Sequence, residues 1–166
     1  MQKADITMLL DYNHWATTRV LDAAASLTPS QWTTALDAQL GSLQKILVHM
    51  FNAERQWRIR FEQGVSPRAT LVTDFPTVAH LRDALLPEQQ AFQQFILTLD
   101  DALMEAPIQF LRFSGEQSQP FIRWQLLFQL IMHGIAHRSE VAAILTAYDH
   151  SPGDLDYLVY MLDHPA

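Results

Sequence analysis

The 166-residue chain contains no cysteine, which removes disulfides, thiolate zinc sites, iron–sulfur clusters and cysteine nucleophiles at once. It is also short of basic residues: 11 Lys and Arg face 18 Asp and Glu, a formal charge of −7. That balance works against a broad phosphate-binding surface, so nucleic acid is not an expected partner. The seven histidines are scattered and build no basic tract. No stretch reaches the uninterrupted apolar length of a membrane span. Residues 1–16 lack the apolar run and small-residue cleavage site of a secretory signal. A cytoplasmic protein without a membrane partner is the expectation. Internal repeats and low-complexity tracts are missing as well.

What the chain has is apolar content, 49% of 166 residues, enough for one domain with a proper core over residues 1–166. Its periodicity is helical, predicting an all-α, four-helix bundle with short additional helices. The first helix is expected from about Ala4 to Ser26, with Leu9, Tyr12, Ala16, Val20 and Ala23 inward, Trp15 at the edge and His14 on the polar side. Thr28, Pro29 and Gln31 read as a cap, a first-turn proline and a capping-box glutamine, opening a short connector around Trp32. Gly41 and Ser42 start a second helix, stopped by Gly64. Its apolar face runs Leu43, Ile46, Leu47, Met50, Ala53, Trp57 and Phe61, with His49 at the margin. Glu54 falls inside that face, which is costly without a cation, and Arg19 is the expected partner.

A surface connection over residues 64–76 leads to a third helix from Thr77 to about Leu99, where Pro87 removes a backbone donor and predicts a kink. Residues 105–119 break the pattern as a long loop or a small hairpin. The longest helical signal follows, from Pro120 to Asp149. A closing helix is expected to be capped by Asp154 and to pack Leu155, Leu158 and Tyr160 or Met161.

On the fourth helix Leu126, Leu130, His133, His137, Val141, Ile144 and Tyr148 are spaced 4, 3, 4, 4, 3 and 4, so two imidazoles stand in an apolar seam. Their spacing suits two ligands of one cation, and equally two separately hydrogen-bonded histidines. Gly134 and Ile135 replace the glutamate that a zinc-protease helix uses as general base, which argues against that chemistry. His49 is the best third ligand, being mid-helix on another long element. His14, His80, His150 and His164 read as surface histidines. Glu140 could support His137 through a hydrogen bond, Tyr12, Asn13 and Trp15 could edge a pocket, and Arg123 could clamp an anionic substrate.

The segments YNHWATTRVL, LVHMFNAERQW and HGIAHRSEVAAIL, with the closing PGDLDYLVYML, resemble the DinB-like (YfiT-like) metal-dependent four-helix-bundle proteins over nearly the whole chain. The resemblance implies up-down-down-up helix order. It also implies a divalent metal, zinc or nickel, on one histidine of the second helix and two of the fourth, here His49, His133 and His137. Characterised relatives include thiol-dependent transferases and isomerases. The expectation is therefore a metal-dependent enzyme in stress or detoxification, moving an external low-molecular-weight thiol onto a small electrophile, with the site near one end of the bundle. A metal-dependent hydrolase of small amides or esters and a non-catalytic metal- or ligand-binding protein are the alternatives. In either enzyme the ion lowers the pKa of a bound thiol or water. A small-molecule substrate is implied, and so aromatic a bundle suggests a homodimer.

Overall fold

The computed structural model describes residues 1–35 and 41–165. Four long helices make the body, α1 (Lys3–Ala24), α3 (Leu43–Gln63), α4 (Val78–Leu97) and α6 (Arg123–Ala147). Three short ones, α2 (Pro29–Thr33), α5 (Asp101–Glu105) and α7 (Tyr157–Asp163), and a two-stranded ladder of β1 (Pro107–Ile108) with β2 (Phe121–Ile122), complete it. The helix starts are local chemistry: the hydroxyls of Thr28, Ser42 and Thr77 accept the N–H of Gln31, Lys45 and His80. Gly64, at φ 70°, closes α3 in the left-handed conformation that favours glycine. Residues 64–76 form the expected connection, with one 3₁₀ turn at Val72–Asp74. α4 continues through Pro87.

Both α1 and α3 pack against α4 and α6, placing α1 diagonally from α3. Asp22 meets Arg82 and Asp11 meets Gln93, so α1 and α4 are antiparallel. Phe51 meets Phe75 just before α4 and Phe61 meets Phe95 near its end, so α3 and α4 are parallel. Ile6 and Leu10 share a cluster with Leu126 and Leu127, and Val20 and Ala24 share another with Val141 and Leu145, so α1 and α6 are parallel. The order is up-down-down-up, as expected. Between the two apolar clusters lies a buried polar layer: Asn13, His14, Thr17, Glu54 and Arg138. Among the described residues no helix is long and apolar enough to cross a membrane.

Three expectations, on α1, α6 and α7, need correction. On α1 Tyr12, Ala16 and Val20 are buried as expected, but the buried face is wider and shifted: it takes in Ile6, Leu10, Asn13, His14, Thr17 and Ala24, whose polar members have partners inside, while Leu9 and Ala23 are only half-buried. α6 begins at Arg123 rather than Pro120, since Phe121 and Ile122 pair with β1 and the Arg123 N–H donates to the Ala106 carbonyl. Of the long loop and the small hairpin expected over residues 105–119, the structure has the hairpin, bridged further at Leu111 and Gln117. α7 is capped by Asp156, not Asp154, and packs Tyr157 and Tyr160 against Tyr12 while Leu158 stays 58% exposed.

Candidate metal centre

α3 and α6 are neighbours, and one potential ligand atom from each of His49, His133 and His137 lies within 4.8 Å of the others. The three rings pack at centroid separations of 5.0, 4.9 and 4.5 Å. Nε2 of His49 and Nε2 of His133 are 3.0 Å apart, against about 3.3 Å for two imidazole nitrogens on one tetrahedral zinc. The Nδ1–H of His137 donates to Glu140 Oε2 at 2.8 Å, which leaves its Nε2 lone pair free. Burial first, then the proximity of His137, lowers the pKa of His49, with Glu140 pulling the other way. His133 is pushed down to about 4 by burial, then by His137 and His49, with Glu140 pulling the other way. These shifts favour the neutral form of His49 and His133, and neutral imidazole is what a divalent cation requires of its ligands, so the donor set fits one.

The triad stands halfway along α6, on the flank of the bundle, and not near one end. His49 is exposed and the other two are half-buried, so the histidine pair edges the apolar seam instead of sitting in it. The fully buried line of α6 is Leu127, Ile131, Gly134, Arg138, Val141 and Leu145. Beside the triad opens a cleft of about 620 Å³ between α3 and α6, walled by Ala69, Val72 and Phe121 and lined by Trp57, Gln56 and Gln129. This volume suits a small molecule. Asn52 fixes the far wall, accepting the Thr70 N–H at 2.8 Å and donating to the Thr70 carbonyl at 3.2 Å.

Behind the triad, Arg138 is only 2% exposed. Its Nη1 donates to Asn13 Oδ1 at 2.6 Å and Thr17 Oγ1 at 3.3 Å, and its guanidinium carbon lies 5.6 Å from the Tyr12 ring centroid. Burial draws its pKa below the usual value, against the favourable influence of Tyr12 and Glu54. Glu54 accepts a 3.0 Å hydrogen bond from Nε2 of His14. A small cavity of about 20 Å³ touching Asn13, Glu54, His133 and Arg138 has room for roughly one water.

Other expectations separate here. His14 is a buried partner of Glu54, not a surface histidine; Arg19 instead lies over Trp15 and donates to the Pro152 carbonyl. Arg123 does not face the cleft: its guanidinium donates to the Leu103 carbonyl in α5. Tyr12 and Trp15 pack with α7, while Asn13 serves Arg138. His80 is exposed, as expected, and His150 bonds to Ser26. Arg138 was missed, though the sequence held a signal: a glycine one turn before an arginine on an otherwise apolar line leaves a slot for the side chain.

A search of curated proteins finds no match. The model of the DinB family matches residues 1–164. With the four-helix order and the histidine cluster already described, a match over nearly the whole length means that the chain belongs to the DinB family.

Proposed function

We propose that His49, His133 and His137 hold one divalent metal ion, zinc or nickel, and that the protein is a metal-dependent transferase placing an external low-molecular-weight thiol on a small electrophile. The carrying observation is the convergence of three imidazoles, two of which, His49 and His133, line a cleft large enough for small molecules. Bound there, the ion would supply a positive centre that lowers the pKa of a thiol brought to it.

The chain's own residues account for the rest. Glu140 orients His137 and fixes its tautomer. Trp57, Phe121 and Leu126 exclude water from one side of the cleft, and Gln56 and Gln129 offer neutral hydrogen-bonding groups. With no cysteine in the chain, the thiol has to come from a cosubstrate. The test is consumption of a panel of electrophiles by metal-loaded protein with and without added thiols. Thiol-dependent turnover lost in His49→Ala is expected; turnover that proceeds equally without thiol would replace transfer by hydrolysis.

A further inference from the structure

The chain carries a net charge of −7, yet of the thirteen residues lining the cleft none is acidic and one, Lys45, is basic, one turn before His49. Along α3 the positions His49, Ala53, Gln56 and Arg60 are spaced 4, 3 and 4, one strip of the helix, and the first three line the cleft. Arg60 is the next position, one turn beyond Gln56. Its guanidinium carbon lies 4.7 Å from the ring centre of Trp57, itself a cleft residue, 4.9 Å from that of Phe110 and 5.8 Å from that of Phe113. Nε donates to Ser66 Oγ at 3.0 Å, which fixes the plane of the group.

Among the described residues Arg60 forms no ion pair, whereas Arg58, two positions earlier, meets both Glu62 and Glu88. Burial also lowers the Arg60 pKa. A guanidinium oriented by aromatic faces and lacking a carboxylate keeps its paired N–H donors for a planar anion. Arg55 and Arg68, joined by a 3.1 Å hydrogen bond from Arg55 Nη1 to the Arg68 carbonyl, likewise form no ion pair among the described residues.

We propose that Arg60 is the anion anchor of the cleft, receiving the carboxylate or phosphate end of an elongated thiol cosubstrate whose sulfur lies at the histidine triad. This rests on the transferase reading given above. Positions 49 and 60 are about 16 Å apart along the helix axis, so a short thiol acid cannot reach both.

The test is calorimetric binding to zinc-loaded protein of mercaptoundecanoate, mercaptoundecanol and undecanoate, beside the short pair mercaptopropionate and mercaptopropanol. The long thiol acid is expected to bind about tenfold more tightly than the long thiol alcohol, from one charge-assisted hydrogen-bonded pair. The short pair is expected to show no such preference. Arg60→Gln should abolish the preference and Arg60→Lys should retain part of it. Equal binding of the long acid and long alcohol by the unaltered protein, or a preference that survives in folded Arg60→Gln, overturns the anchor and leaves Arg60 as a clasp for the hairpin. Equal binding of mercaptoundecanoate and undecanoate overturns the thiol reading itself and the anchor's role with it.

Discussion

Replacing Gly134 by alanine sets two effects of opposite sign against each other. Alanine in a helix interior is favoured over glycine by about 0.8–1.0 kcal/mol, so on propensity alone Gly134→Ala should stabilise. A Cβ at position 134, however, would stand 2.5 Å from Asn13 Oδ1 and 2.8 Å from Arg138 Nη1, the two atoms of a 2.6 Å hydrogen bond. Both side chains are buried, so neither can swing into solvent. Losing a hydrogen bond to a buried charged group costs about 1.5–3 kcal/mol. The net expectation is a loss of about 1–2 kcal/mol. Urea unfolding of the metal-free protein, read by far-ultraviolet circular dichroism at unchanged slope, measures it. In an Asn13→Ala background the same substitution should cost less, with a coupling of about 1 kcal/mol. A midpoint that rises in Gly134→Ala, or costs that simply add in the double variant, would refute the close approach of α1 to α6.

Glu140→Gln should weaken metal affinity about 10–100-fold while barely moving stability, measured by competition with a chromophoric chelator; unchanged affinity would mean that Glu140 does not support His137. Glu54→Ala should cost about 3–5 kcal/mol by leaving the buried layer without its acid, whereas Arg19→Ala should cost under about 1 kcal/mol; equal losses would restore the Arg19 pairing. The metal-free protein should lose stability on acidification. With the folded-state pKa of His133 at about 4 and the unfolded value at 6.5, the unfolded chain binds the extra proton throughout that window. The full shift corresponds to about 3 kcal/mol, reduced to about 1–2 kcal/mol for a half-exposed ring. His133→Gln should flatten this pH dependence in chemical denaturation, and an unaltered slope would contradict it.

The parts of the fold legible in the sequence are those set by neighbours along the chain. Thr28, Ser42 and Thr77 announce helix starts, and Gly64 a helix end, because capping is decided within a few residues. The positions of His133 and His137 follow from helical spacing, and His49 joins them through the family pattern. The buried face of α1 is legible only in part: apolar patterning finds Tyr12, Ala16 and Val20 but assigns Asn13, His14 and Thr17 to solvent. Their partners, Arg138 and Glu54, lie up to 125 residues away, and apart from the Gly134 slot one turn before Arg138 nothing nearby in the chain points to them. Pro120 is a sound first-turn residue, yet the pairing of Phe121 and Ile122 with β1 takes the segment into a strand. Asp154 and Asp156 are both able to cap; the choice of Asp156 goes with the docking of Tyr157 and Tyr160 on Tyr12.

The most direct test of the three-histidine centre is metal analysis of the dialysed protein after loading with zinc or nickel, alongside His49→Ala, His133→Ala and His137→Ala. One equivalent per chain is expected in the unaltered protein, with a large loss in each variant while the helical circular dichroism is kept. Stoichiometric metal retained in all three variants would contradict the assignment.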